Sequence, residues 1–534
     1  MSAAPKPIAE AAHRTPRHNP WAVAFTVTMA TFMEVLDSSI ANVALPHIAG
    51  GLSAGIDEST WILTSYLVSN AIVLPISGWL ATVLGRKRFY MSCVAIFALS
   101  SMLCGFAPTL GTLIMFRVIQ GVGGGGLGPS EQAILADTFP TERLGMAFAL
   151  YGMAVVLAPA IGPTLGGWIT DNYNWRWIFF INVPIGMLSL FLSYRMVEDP
   201  PHLVEQTRRE RASGLNIDYV GLGLIAAGIG ALQVVLDKGQ RDDWFQSGLI
   251  AGFTLIAVVA LVAFVVRELR TEHPVVDIRM LGERTFAVSN LMIFVLGFVL
   301  YGTTVMLPEF MQEILGYTAE TSGMALSPGG FAIMIAMPVV GMLVSRVDSR
   351  WLIAFGLCVT ALATYHMSGL NLNVDFWTMA RYRIFQSLGI GFLFIPINTM
   401  AYVGLPPEKN NQVSGMINLF RNIGGSVGIS MVTTMLARSQ QAHQDALSIH
   451  TNHFNPAFNS TVNALGESAF HAGASHADAL HRGLAQFYGV MQQQAATQAY
   501  ISIFSMLALM CVAIAPFVFL MKKNQPGKGL VGAH

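Results

Sequence analysis

Runs of about 20 apolar residues, broken by short charged or Pro/Gly-rich clusters, recur down the whole chain, and a run of that length crosses about 30 Å of hydrocarbon as a helix. Fourteen such runs occur, near 21–41, 59–81, 89–106, 110–130, 145–169, 176–196, 218–236, 246–266, 286–307, 322–344, 351–369, 377–398, 412–436 and 497–521. They predict an all-α integral membrane protein of fourteen transmembrane helices, and an even number puts both termini on one side. The first run differs from the others. It carries Glu34 and Asp37, three residues apart and therefore on one helix face. An ionised side chain in a membrane helix costs roughly 2.5 to 3.5 kcal/mol on insertion scales and usually marks an ion or substrate path.

From Trp21 to Asp37 a helix climbs about 24 Å, which leaves Asp37 short of the far face of the bilayer. Arg117, inside the fourth run, lies about 10 Å from that same face if its helix starts at Leu110. An arginine this deep needs a carboxylate or carbonyl partner, and Asp37 and Glu34 are the natural ones. The pair is either static or broken when a proton arrives, and a hydrated position of Asp37 near the rim is a third outcome. Which of the two carboxylates carries the proton stays open. In the second half Arg383 and Arg421 fall inside runs and are candidates for the same kind of role, with no matching acid in the middle of that half's spans.

Composition changes the picture little: 53% of residues are hydrophobic and 11% charged, far from the globular norm of about 25% charged. No basic domain or aromatic-basic stripe points to nucleic acid. The distribution of charge says more than its sum of zero. With the N-terminus inside, cytoplasmic segments hold 21 of the 30 Lys and Arg, external segments 5, and the spans 4, so the positive-inside rule orients the chain. The four cysteines fall inside apolar runs without metal-ligand spacing and read as small core residues. No metal and no cofactor is expected. The long first run lacks a small-residue cleavage pattern, so it reads as an uncleaved span.

An internal repeat follows. Phe116 to Gly121 (FRVIQG) is echoed by Tyr382 to Ser387 (YRIFQS), Gly78 to Lys87 by Gly341 to Arg350, and Val43 to Pro46 by Val305 to Pro308, at offsets between 262 and 266 residues. Two parallel copies of six spans, here with two extra spans between them, suit the major facilitator architecture. The specific stretches are LDSSIANVALP at Leu36 to Pro46, Gly78 to Lys87, Arg117 to Gly126, APAIGPTLGG at Ala158 to Gly167, and WIFFINVPIG at Trp177 to Gly186. On these the chain resembles the 14-span drug:proton antiporters of the major facilitator superfamily, EmrB-like inner-membrane pump subunits above all.

That resemblance implies a major facilitator fold of two six-helix bundles plus two inserted helices. Its expected parts are a cytoplasmic tail (1–20), an N-terminal bundle (21–196), the inserted helices with their linkers (197–285), a C-terminal bundle (286–521) with an external loop (438–496), and a cytoplasmic tail (522–534). It also implies a proton-driven exporter of amphipathic or hydrophobic compounds across the bacterial inner membrane, not an enzyme. Its partners would be those small molecules, membrane lipid, a periplasmic membrane-fusion adaptor and an outer-membrane channel. The stretch APAIGPTLGG matches the family's antiporter signature at Gly162, Pro163, Gly166 and Gly167, to which gating is attached. Gly162 and Gly166 also form a small-xxx-small face, and Pro159 and Pro163 each remove a backbone donor, so this helix should pack closely and bend. The family's loop motif is met at Gly78, Leu80, Gly85, Arg86 and Lys87. Thr82 stands where that motif has Asp, so the loop's usual charge latch lacks its acid.

Other features carry less. GxGxxG at Gly121 to Gly126 and GxSxG at Gly424 to Gly428 lie inside apolar runs instead of the strand-turn-helix setting their chemistry requires. No GxxxxGK[ST] occurs, which argues against ATP as the driver. Glu131 and Asp137 read as hydrated residues near the inner end of the fourth span, and His366 as a polar packing contact. The external loop holds six of the 13 histidines without metal spacing, and Leu480, Leu484, Phe487 and Met491 predict an amphipathic helix before the last span. A symporter or metabolite exporter, or a non-transporting sensor, are the alternatives to drug export.

Overall fold

The apolar runs become helices whose starts are fixed by capping side chains. Asn19 accepts from Trp21 N ahead of Pro20, Thr109 forms a capping box with Thr112, and Asp218, Glu283, Thr318, Asp348, Asp375 and Ser475 cap later helices. In this computed structural model, residues 18–212, 218–271, 274–449, 451–452 and 454–523 are described. Lys6, Arg14, Arg17 and Lys528, which count towards the charge asymmetry, lie outside the described residues.

The long helices are α1 (Pro20–Gly51), α2 (Trp61–Leu84), α3 (Arg86–Phe106), α4 (Leu110–Thr138), α5 (Thr141–Asn172), α6 (Trp177–Met196), α7 (Tyr219–Lys238), α8 (Gly248–Arg270), α9 (Arg284–Glu309), α10 (Ala319–Val344), α11 (Ser349–Met367), α12 (Phe376–Ala401), α13 (Asn410–Ser448) and α14 (His476–Ile514). Among the described residues 12 helices are long and apolar enough to cross a membrane. The remaining two of the fourteen expected, α11 and α13, have 19 and 39 residues and so the length, but more polar sequences.

Helix α1 packs against α5 and α6, and α4 against α2 and α3. The second half follows the same scheme, with α9 against α13 and α12 against α10 and α11. The halves meet where α5 lies along α10 and where α2 and α4 lie along α13. Close approach of α5 and α10 rests on absent side chains at both ends: a Cβ on Gly145 would come within 3.0 Å of Gly341 O, and one on Gly323 within 3.1 Å of Thr164 Oγ1. Helix α7 touches both α2 and α13, and Gln233 accepts from Ser426 Oγ at 2.9 Å across that seam. Helix α8 turns its outer face away from the protein, with Leu255, Val258, Val259 and Val262 exposed, as a lipid-facing surface requires.

Both ends of the described chain lie at the end of the bundle that carries Arg86. Trp21 stacks edge-on against Phe139 with ring centroids 5.0 Å apart, and Lys522 pairs with Glu283 at 2.9 Å. An even number of crossings gives this result.

Three boundaries differ from the sequence expectation. Helix α1 runs on to Gly51 through Pro46, because a buried helix tolerates proline where neighbouring helices cover the freed carbonyl. Helix α4 reaches Thr138, past a break at Gly125 and Gly126. The amphipathic segment before the last span is helical, but it is one continuous helix with that span. As 39-residue helices of about 58 Å, α13 and α14 both project beyond the bundle, and a helix at Pro456–His471 packs on α14 where Gly466 and Gly483 let the backbones touch.

Candidate functional site

The α1 face predicted from spacing is the face that meets α4. Arg117 Nη1 donates to Asp37 Oδ2 at 2.6 Å, and the two side chains are 0% and 1% exposed. Two amides complete the carboxylate. Gln120 Nε2 donates to Asp37 Oδ1 at 3.0 Å and Asn182 Nδ2 at 2.7 Å. Asn182 is itself held by Ser101 Oγ at 3.0 Å, and Arg117 Nε reaches Ile62 O at 3.3 Å while its guanidinium lies 4.3 Å from the Tyr66 ring centroid. Five helices therefore converge on one charge. Arg117 Nη2 has no hydrogen-bond partner, so the site keeps one donor unspent.

Glu34, one turn earlier, is held differently. Its Oε1 accepts from Tyr66 OH at 2.7 Å and Asn70 Nδ2 at 3.2 Å, both neutral donors. Depth brought Asp37 to the level of Arg117, with Glu34 as the other candidate, and the structure joins Arg117 to Asp37.

Glu131 is no hydrated rim residue: it is 0% exposed, accepts from Thr28 Oγ1, and leaves Oε2 without a partner. The glycine break places it on the continued helix, deep between α1 and α4. Asp137, also read as a rim residue, bonds the Arg86 guanidinium and accepts from Asn410 Nδ2 at 2.6 Å. His366 is exposed in the last turn of α11, not a packing contact, and Cys358 is exposed where the other three cysteines are buried.

Arg421 joins a polar seam between the halves. It donates to Tyr151 OH at 2.8 Å and Asn418 Oδ1 at 2.6 Å, and Asn418 Nδ2 donates to Gln132 Oε1 at 2.8 Å, whose Nε2 donates to Asn398 Oδ1 at 3.0 Å. Arg383 bonds Gln386 at 2.8 Å and Thr304 at 3.4 Å. None of Gln120, Asn182, Tyr66, Gln132 or Asn418 was singled out from sequence. Their signal is a polar side chain inside an apolar run.

The antiporter stretch lies on the same helix pair as Asp37. A Cβ on Gly162 would sit 2.3 Å from Ser39 Oγ and one on Gly166 3.0 Å from Ile40 Cγ2, while Gly167 has nothing within 4 Å. Pro159 and Pro163 lie inside α5, and the freed Pro159 carbonyl accepts from Ser39 Oγ at 3.4 Å. At the other motif, Gly85 has φ 88°, which favours glycine, and a Cβ on Gly78 would sit 2.6 Å from Asn411 O. Arg86 is buried, not a mere topology charge. Its Nε donates to Asn411 Oδ1 at 2.6 Å, so it ties the two halves, while Thr82 Oγ1 accepts from Asn411 Nδ2 at 3.3 Å where the motif's acid would stand. Lys87 Nζ donates to Tyr194 O at 2.7 Å. The glycines of GxGxxG and GxSxG serve packing: Gly123 faces Phe97 N, and Gly424 and Gly428 face the carbonyls of Phe294 and Phe298.

Comparisons with known proteins place the chain in a family. The multidrug export protein EmrB of Escherichia coli (strain K12) is 39% identical over 431 residues, 80% of this chain and 83% of that one. The probable multidrug resistance protein EmrY of the same strain is 34% identical over 511 residues, 96% of this chain and 97% of that one. The proton:xylose symporter XylE, at 14% identity, superposes with a TM-score of 0.57 over 93% of this chain and 96% of that one, which shows a shared fold. A family profile described as Major Facilitator Superfamily matches residues 27–429, so the chain belongs to the major facilitator superfamily and, within it, to the EmrB-type transporters.

Proposed function

We propose that the protein exports amphipathic compounds across the bacterial inner membrane in exchange for protons, with Asp37 as the coupling carboxylate. The observation that carries this is the Asp37 to Arg117 pair, fully buried and built from five helices. Separating the pair leaves a desolvated carboxylate without its cation, which favours proton uptake, and closing it again expels the proton. Residues 21–196 and 286–521 are the two bodies that move about the seam at Arg421, Asn418 and Gln132, and 197–285 forms an insert beside it. Gly162 and Gly166 hold α5 against the helix that bears Asp37, so bending of α5 at Pro159 and Pro163 acts on the pair.

The Arg86 end and both termini face the cytoplasm in this reading, supported by the 21 to 5 split of Lys and Arg. At about 2.3 kcal/mol per 100 mV, one proton crossing roughly 150 mV supplies about 3.5 kcal/mol. That sustains a gradient of about three-hundredfold without ATP. The projecting ends of α13 and α14 with the helix at Pro456–His471 are the surface for a periplasmic adaptor, and through it an outer-membrane channel. Purified protein in liposomes tests the function: an imposed pH gradient should drive uphill transport of tetraphenylphosphonium, and an uncoupler should abolish it. Transport that ignores the gradient would overturn proton coupling.

A further inference from the structure

The hydrogen-bonded arrangement around Arg117 recurs around Arg383 with one group exchanged. In the first half Arg117 Nη1 donates to Gln120 Oε1 at 2.7 Å, and Gln120 Nε2 donates to Asp37 Oδ1 at 3.0 Å. In the second half Arg383 Nη1 donates to Gln386 Oε1 at 2.8 Å, and Gln386 Nε2 donates to Thr303 Oγ1 at 2.7 Å. All three residues stand 266 positions beyond their counterparts, so Thr303 holds the place of Asp37. The register of the VALP match pairs Asp37 with Val299 instead, one turn earlier, and that residue is no more acidic.

Arg383 is therefore a buried cation with a neutral threonine where Arg117 has a carboxylate. It is 7% exposed, its other contact is Thr304 Oγ1 at 3.4 Å, and among the described residues no carboxylate pairs with it. Taking one such ion out of water costs several kcal/mol unless an opposite charge compensates. The stem is fixed, since α10 passes so close that a Cβ on Gly329 would lie 2.5 Å from Arg383 Cγ. The head is less enclosed, because Thr304 beside Nη2 is only half-buried. A guanidinium presents paired donors that match a carboxylate.

We propose that the Arg383 guanidinium, positioned by Gln386 and reached beside Thr304, binds the carboxylate of an amphipathic substrate, which supplies the counter-charge that Asp37 supplies in the first half. The proposal rests on the export of amphipathic compounds argued above and names one class of them. An anionic lipid headgroup would offer the same oxygen chemistry, so the test must separate the two sources.

The measurement is equilibrium binding of decanoate and of uncharged decanamide to the full chain in phosphatidylcholine nanodiscs. The wild type should prefer decanoate by about tenfold, as a charge-assisted bond implies. Arg383→Gln should bind both alike. Thr303→Asp, which restores the internal carboxylate, should also lose the preference, whereas Thr303→Asn should keep it. A wild type without preference, or a Thr303→Asp variant that retains it, overturns the proposal. Should Arg383→Gln fail to fold, Thr303→Asp decides alone, because it adds a pair instead of removing one. Loss of the wild-type preference on adding phosphatidylglycerol assigns the site to lipid and likewise overturns the substrate assignment. Binding requires no proton gradient, so failure of proton-driven export leaves this result readable.

Discussion

Glu34 and Asp37 share one face of α1, yet Asp37 is held by a guanidinium at 2.6 Å and Glu34 by a phenol and an amide alone. Three residues of helix separate a carboxylate bonded to a cation from one that Arg421 attracts only through space. The proposed division of tasks, coupling for Asp37 and recognition for Glu34, follows this difference in partners.

Asp37→Asn keeps the shape of the side chain and leaves Arg117 uncompensated. Removing one partner of a buried pair costs about 3 to 5 kcal/mol, so the variant should melt well below the wild type and lose proton-driven uphill transport. Asp37→Glu should retain part of it. Wild-type rates of gradient-driven transport by purified Asp37→Asn in liposomes would remove Asp37 from the coupling role.

Two glycines of the antiporter stretch should differ sharply. An alanine at Gly162 would drive its Cβ to 2.3 Å from Ser39 Oγ, two residues from Asp37, whereas Gly167 has nothing within 4 Å. Overpacking of this kind costs about 1 to 3 kcal/mol. Gly162→Ala should lower the transport rate by about tenfold on that scale, and Gly167→Ala should stay near the wild type. Equal losses at both would point to a requirement other than the contact with α1.

Much of this site could be read from residue depth. Counting 1.5 Å per residue along two helices brought Asp37 and Arg117 to one level, and the pair is there. The same counting could not choose between Glu34 and Asp37, since one helical turn separates them and the choice depends on how α4 is rotated. Asn182 escaped notice because a lone amide in an apolar run has no charge to demand a partner. Glu131 was misplaced for a simpler reason: the glycine cluster Gly123 to Gly126 reads as an approaching helix end, but close packing on Asn70 and Cys93 requires those glycines, and the helix resumes. The last span and the helix before it merged because nothing in residues 491–500 breaks a helix.

Arg86 carries more than the orientation of the chain. Its guanidinium bonds Asp137, Ala133 O and Asn411, the last from the other half. Arg86→Gln should loosen that end, lowering the melting temperature and raising maleimide labelling of a cysteine placed at buried Ser77. Labelling unchanged from the wild type would show that the neighbouring contacts of Gly78 and Thr82 suffice to hold the halves together.

The projecting hairpin makes a separate prediction. Removing residues 445–490 shortens α13 and α14 but spares the stretches that pack within the bundle. The truncated protein should insert in the membrane and fail to co-purify with the periplasmic adaptor proposed above. Undiminished co-purification would move the contact to another face.

Glu34 gives the sharpest test of how substrates are chosen. Its carboxylate lies at mid-helix on α1 and accepts from Tyr66 and Asn70, neither of which balances a negative charge. A desolvated anion in that position is stabilised by a proton or by a cationic head group brought by a substrate. Arg117 is already engaged with Asp37, and Arg421 attracts Glu34 only through space, since its hydrogen bonds go to Tyr151 and Asn418. Glu34→Gln preserves the hydrogen bond from Tyr66 while deleting the charge, and it leaves the Asp37 pair intact. Transport of tetraphenylphosphonium should therefore fall by about tenfold or more, the effect of losing roughly 1.4 kcal/mol of binding. Transport of an uncharged amphipath by the same variant should persist and should still collapse with the pH gradient. If cation and neutral transport fell together, Glu34 would belong to the coupling machinery with Asp37; if neither fell, the cation would bind elsewhere.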